Sequence, residues 1–169
     1  MKHNKKENEI SLLCEIASTV SDNISDIESI LNGNKQTNFL YTDTLYFDLL
    51  QTTDKNYFTP VDREDIFVLA CHIQNLNDEI NMLKNSIENN RFFSNEKIRF
   101  LFNRFNSCIS MLRELEKIPK CNGMTQLYLN FSKDNKKYYK TSDNIYFEKC
   151  MLICKKIADT IYFSYLKNT

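Results

Sequence analysis

Apolar residues recur every three or four positions along most of the chain, the spacing of helices that each bury one side. In the first segment Ile10, Leu13, Ala17, Val20, Ile24, Ile27 and Leu31 follow this step. Gly33 stands just beyond Leu31, where a left-handed helix cap is most easily made by glycine. A weaker segment over 38–51 sets Phe39, Tyr46 and Leu50 on one face.

The third segment carries the longest stripe: Ile66, Leu69, Ala70, Ile73, Leu76, Ile80, Leu83 and Ile87. Its start is expected at Thr59 as N-cap, with Pro60 at the first helical position, where a missing N–H costs nothing. Asp62 falls three residues after that cap, as in a capping box. Asp62, Glu64 and Asp65 also set negative charge on the positive end of the helix dipole.

Ser94 or Asn95 opens a fourth segment with Ile98, Leu101, Phe102, Phe105, Cys108, Ile109, Leu112 and Leu115. Pro119, Asn122 and Gly123 close it. Met124, Leu127, Tyr128 and Phe131 have helical spacing, while Leu127 and Leu129 also fit a short strand. Ser142 or Asp143 is expected to cap a last helix bearing Ile145, Cys150, Ile153, Cys154, Ile157, Ile161 and Tyr165. One-sided stripes must pack on one another. The expected fold is therefore all-α: an antiparallel helical bundle of about five to six helices, one domain over 1–169, without an internal repeat.

Composition agrees. Two Gly and two Pro in 169 residues are too few for the tight turns of an all-β fold. The 22 basic and 22 acidic residues cancel, which removes the bulk positive field that nucleic acid requires. Lys133, Lys136, Lys137 and Lys140, interleaved with Tyr138 and Tyr139, form the strongest candidate basic patch, read as a solvated loop ahead of a lipid or nucleic-acid contact. No apolar run approaches the roughly 18 residues of a membrane span. Met1 to Asn8 are polar, unlike a signal peptide. The expected compartment is the cytoplasm, with Cys14, Cys71, Cys108, Cys121, Cys150 and Cys154 as reduced, largely buried thiols.

Candidate chemistry is sparse. The chain holds no Gly-rich phosphate loop, no G-x-S-x-G and no H-E-x-x-H. His3 and His72 have no evident partner, and Asp62 and Glu64 read as helix-start charges before they read as an acid–base pair. Arg63, a cation near a helix N-terminus, calls for an acid such as Asp48 or for a partner surface. The expectation is a protein that is not an enzyme.

The run Tyr57-Phe58-Thr59-Pro60-Val61-Asp62-Arg63-Glu64-Asp65-Ile66-Phe67-Val68-Leu69-Ala70 resembles the signature of the PhoU-like accessory proteins of Pit-type phosphate permeases. Thr59, Pro60, Asp62, Arg63, Glu64, Asp65 and Ile66 stand in register with a motif of the form F-I-T-P-x-D-R-E-D-I. The resemblance implies a PhoU-like helical bundle in the cytoplasm, peripheral to the inner membrane face. It implies a regulator of inorganic phosphate transport whose partner is a phosphate permease or another membrane-transport protein. The alternative is a homo-oligomeric helical scaffold that keeps the fold without the family's metal sites.

Relatives of this kind hold divalent or ferric metal through helical acidic clusters, which makes Asp43, Asp78 and Asp159 the metal candidates. The chain departs from that pattern. Where the family shows Asp-Asp-x-x-Asp, it has Gln74-Asn75-Leu76-Asn77-Asp78, and Lys155 and Lys156 stand beside Asp159. Carboxylates supply most of a hard cation's affinity by cancelling its charge. One acid among amides predicts weak binding, so no cofactor is expected.

Overall fold

The computed structural model describes residues 8–34, 38–55, 61–89, 93–118, 120–134 and 144–169. Six helices account for 84% of the described residues, and no strand occurs among them. They are α1 (Glu9–Leu31), α2 (Asp43–Lys55), α3 (Arg63–Asn89), α4 (Asn95–Leu115), α5 (Met124–Lys133) and α6 (Ile145–Asn168). The fold class expected from periodicity stands.

Local chemistry sets the helix ends. The Asn8 side chain accepts the Ser11 N–H at 2.7 Å and opens α1. At the other end Gly33 has φ +83°, its N–H reaching the Ile30 carbonyl while the Asn34 N–H reaches Ser29. This is the Schellman closure that the glycine's position predicted. Asn144 caps α6, accepting from Tyr146 and Phe147. The expected caps Ser142 and Asp143 lie outside the described residues.

Two starts differ from expectation. α3 begins at Arg63, with the Asp62 carbonyl accepting from Ile66, because aspartate is as strong an N-cap as threonine. A cap at Thr59 would have made Val61 and Asp62 helical, and they are not. Thr59 and Pro60 themselves lie outside the described residues. α2 begins at Asp43, five residues later than expected, because the Leu40 backbone is engaged by the Asn23 side chain instead of a helical turn. Its buried residues are Leu49 and Thr53, while Leu50 is only half-buried.

The core runs along the predicted stripes. Every apolar position named for α3, from Ile66 to Ile87, is buried, as are Ile98, Leu101, Phe105, Cys108, Ile109, Leu112 and Leu115 on α4. Each of the Ile, Leu and Phe side chains among them contributes about 1.5–3 kcal/mol through burial. Ile145 is an exception at 61% exposed: it sits in the first turn of α6, and the buried line starts at Phe147. The ambiguous 124–133 stretch is helical, burying Met124 and Phe131 and leaving Leu129 exposed.

Cross-links between helices give the topology. Asn8 with Glu116, Ser21 with Asn106 and Asn32 with Asn95 run α4 antiparallel to α1. Asp65 with Lys167, Glu79 with Lys149 and Ser86 with Asn144 do the same for α3 and α6. α1 also packs on α3, and α4 on α6, closing a ring of four long helices. Within each of these two pairs the helices are parallel, because α2 and α5 carry the chain back across them. The order long–short–long thus occurs twice, as α1–α2–α3 and α4–α5–α6. This repeat of arrangement has no counterpart in any visible repeat of sequence.

Candidate functional site

The densest polar cluster lies where the start of α2 meets α1 and α3. Asn23 and Asn77, each on the core side of its helix, are 1% and 2% exposed. Asn23 Nδ2 donates to Asn77 Oδ1 and to the Leu40 carbonyl, both at 2.8 Å, and Asn23 Oδ1 accepts the Leu40 N–H at 2.9 Å. Two residues on, the buried Thr42 hydroxyl donates to Gln74 Oε1, and Gln74 Nε2 donates to Asp43 Oδ1 at 3.3 Å. Here Gln74, where the resemblance leads one to expect an acid, works as a bridge between the α2 start and α3.

Beside this cluster Asp78 lies within electrostatic reach of Asp43. Burial first, then the negative charges of Asp43 and Glu79, push the Asp78 carboxyl above the usual range. Asp159 stands apart on the α5 side of α6, where it accepts from the Tyr128 hydroxyl at 2.9 Å and pairs with Lys155 at 2.6 Å. The structure therefore sets two of the three metal candidates within reach of each other's charge and gives the third other partners. Among the described residues no three His, Cys, Asp or Glu side chains are grouped to hold a metal ion.

The motif residues close the far end of the bundle. Asp65 is buried at the start of α3, and both of its oxygens accept from Lys167 Nζ, at 2.9 and 3.1 Å, in the last turn of α6. That hydrogen bond chiefly, with the charges of Asp65, Asp62 and Glu64, raises the Lys167 ammonium above its ordinary value. Asp62, Arg63 and Glu64 point outward. No ion pair joins Arg63 to Asp48 among those the described residues form.

Other candidates resolve into packing. His72 is half-buried on the α6 side of α3, its pKa lowered by burial and by Lys156. Cys108 and Cys154 face each other in the core, the Cys108 thiol donating to the Cys154 carbonyl at 3.4 Å. Burial pushes Cys154 up to about 12 and Cys14 up to about 11, with Cys108 and Cys150 also well above normal, so these sulfurs stay protonated and inert. Cys71 is the exposed thiol, 3.7 Å from the Tyr46 hydroxyl. In the basic cluster around 133–140, only Lys133 lies within the described residues.

Three polar residues to which no motif assigns a role lie on core faces. Asn23 stands three after Val20, Asn77 four after Ile73, and Arg104 three after Leu101. Their signal was that polarity on the buried stripe. Arg104 is 3% exposed, lies over the Phe131 ring at 3.7 Å and donates to the Phe131 carbonyl at 3.0 Å, which ties α5 to α4. An open groove also runs between α1 and α4, lined by Ser18, Ser21, Asp22, Asn106, Ser110 and Arg113. Several of its hydroxyls already donate inward, Ser21 to Asn106 Oδ1 and Ser110 to the Asn106 carbonyl.

The described residues thus form a six-helix all-α bundle whose polar interior groups serve mainly to join helices. No family model, curated protein or solved structure matches it. No described helix is long and apolar enough to cross a membrane.

Proposed function

We propose that this chain is a non-enzymatic accessory or regulatory protein of inorganic phosphate transport, acting by contact with a membrane permease from the cytoplasmic side. The observation that carries the reading is the placement of the motif. The described part of the segment that resembles the PhoU-like signature, from Val61 onward, leads into the longest described helix, where Asp65 locks onto Lys167 while Asp62, Arg63 and Glu64 face outward. A motif divided in this way suits docking: one member fixes the helix end, and the others present a mixed-charge surface to a partner.

The test is binding of the purified chain to a Pit-type phosphate permease in lipid nanodiscs, with empty nanodiscs as reference. Selective binding that weakens in Arg63→Glu supports the proposal. Equal signal on empty discs, or none on either, rejects it.

A further inference from the structure

The two short helices hold equivalent places in the long–short–long arrangement, yet they are attached in different ways. α5 is fastened along its length. Met124 and Phe131 are buried, Tyr128 stacks on Tyr162 at 4.1 Å and bonds Asp159, and Arg104 donates to the Phe131 carbonyl. α2 is fastened at one end. Among the described residues, every hydrogen bond that ties this stretch to another helix comes from residues 40–46. Leu40 is bonded by Asn23 and Asn77, Thr42 and Asp43 by Gln74, and Tyr46 by Cys71. From Phe47 to Lys55 there is no ion pair among the described residues, and the side-chain hydrogen bond there runs from Thr53 to the Leu49 carbonyl of α2 itself.

Over that span the seat is small. Leu49 and Thr53 are buried, Leu50 and Thr52 are half-buried, and the other residues are exposed. The chain is held again at Val61, which is buried, and at Asp65 through Lys167. A helix tied at one end and seated by little more than one leucine lifts without unwinding, since its own backbone bonds do not depend on the seat. Burial of one leucine favours closure only about ten- to hundredfold. Parting two of the long helices breaks the common core instead, which is far costlier.

We propose that α2 is a strap hinged near Thr42, which swings off the bundle as an intact helix while the four long helices and α5 stay packed. The device needs no partner and does not rest on the permease reading. The swing bares the seat of Leu49 and Thr53 on α1 and α3, which the chain itself closes in the structure. Asn23 and Asn77 keep Leu40 in place in both positions, so the buried amides also serve as the fixed side of the hinge.

Thr53→Cys in the full chain sets a thiol of similar size on the buried side of α2. A disulfide reagent is added to the native protein, and mass spectrometry follows this thiol beside the exposed Cys71 and the buried Cys108 of the same molecules. The thiol at position 53 should react about ten- to hundredfold more slowly than Cys71. Urea below the unfolding transition should barely change that rate, because the swing bares little surface. Cys108 should react later still, with the steep urea dependence of global unfolding. Leu49→Asp, without the new thiol, tests the same point independently. It should leave the strap open and keep Cys108, Cys150 and Cys154 protected, together with most of the helical circular dichroism. A thiol at position 53 that reacts only in step with Cys108 overturns the proposal. So does a Leu49→Asp protein in which Cys108 reacts as fast as Cys71.

Discussion

Asn23 and Asn77 face each other across the α1/α3 contact, and both reach the carbonyl of Leu40, at 2.8 and 3.4 Å. This arrangement fixes three things at once: the register of two parallel helices, the path of the connection between them, and the start of α2. Buried amides fill this role because an apolar pair would allow the helices to slide, whereas an unpaired amide is costly in any other register.

Asn23→Ala removes the partner of the Leu40 N–H and one partner each of the Leu40 carbonyl and Asn77. The expected loss is about 2–4 kcal/mol, summed over groups worth about 1–3 kcal/mol each. Asn77→Ala should cost less, because Leu40 keeps both bonds to Asn23. Urea denaturation of the single and double variants measures both effects, and their sum should exceed the double-variant loss.

Ile73 is fully buried on α3. Ile73→Asp sets an unpaired charge in the shared core and should destabilise by about 3–5 kcal/mol, seen as a lowered denaturation midpoint. By contrast, the buried Ser164 hydroxyl finds no partner among the described residues. Ser164→Ala should therefore be neutral or stabilising by about 1 kcal/mol.

Asp78 holds its proton more tightly folded than unfolded, so its ionisation opposes folding. Its contribution is most favourable below the unfolded carboxyl range and is lost as pH rises through the folded value. Asp78→Asn should then stabilise at neutral pH and lose that advantage in acid. The side chain is largely exposed, which limits the gain to about 0.5 kcal/mol. Thermal melts of both proteins across pH 3–7 give the sign.

Thiol labelling separates the cysteines by burial. Cys71 should react quickly with a disulfide reagent in the native protein. Cys108, Cys150 and Cys154 should wait for unfolding, since they are buried and remain protonated. Mass spectrometry of the labelled peptides reads the order.

Much of the fold was legible because burial leaves a period in the sequence. The α3 and α4 stripes became core almost residue for residue, and Gly33 capped α1 where its position indicated. What was not legible depends on residues far apart in the chain. The α2 start is set by Asn23, seventeen positions before Leu40, and no local pattern encodes that bond. The long–short–long arrangement was hidden because packing constrains only the period of the stripes and leaves the residue identities free. The candidate acids were read from a motif alone, which says nothing about facing. Asp43 and Asp78 share a flank, and Asp159 is turned toward Tyr128.

The central physical claim is that four long helices share a single dry interior, with α2 and α5 laid on as bridges. Native-state hydrogen exchange tests it most directly. The slowest amides should lie along the buried faces of α1, α3, α4 and α6 and should open together, at one free energy equal to that of global unfolding. Amides of α2, which buries only Leu49 and Thr53, should open sooner. Exchange of α3 independent of α6, at a lower free energy, would contradict the shared core.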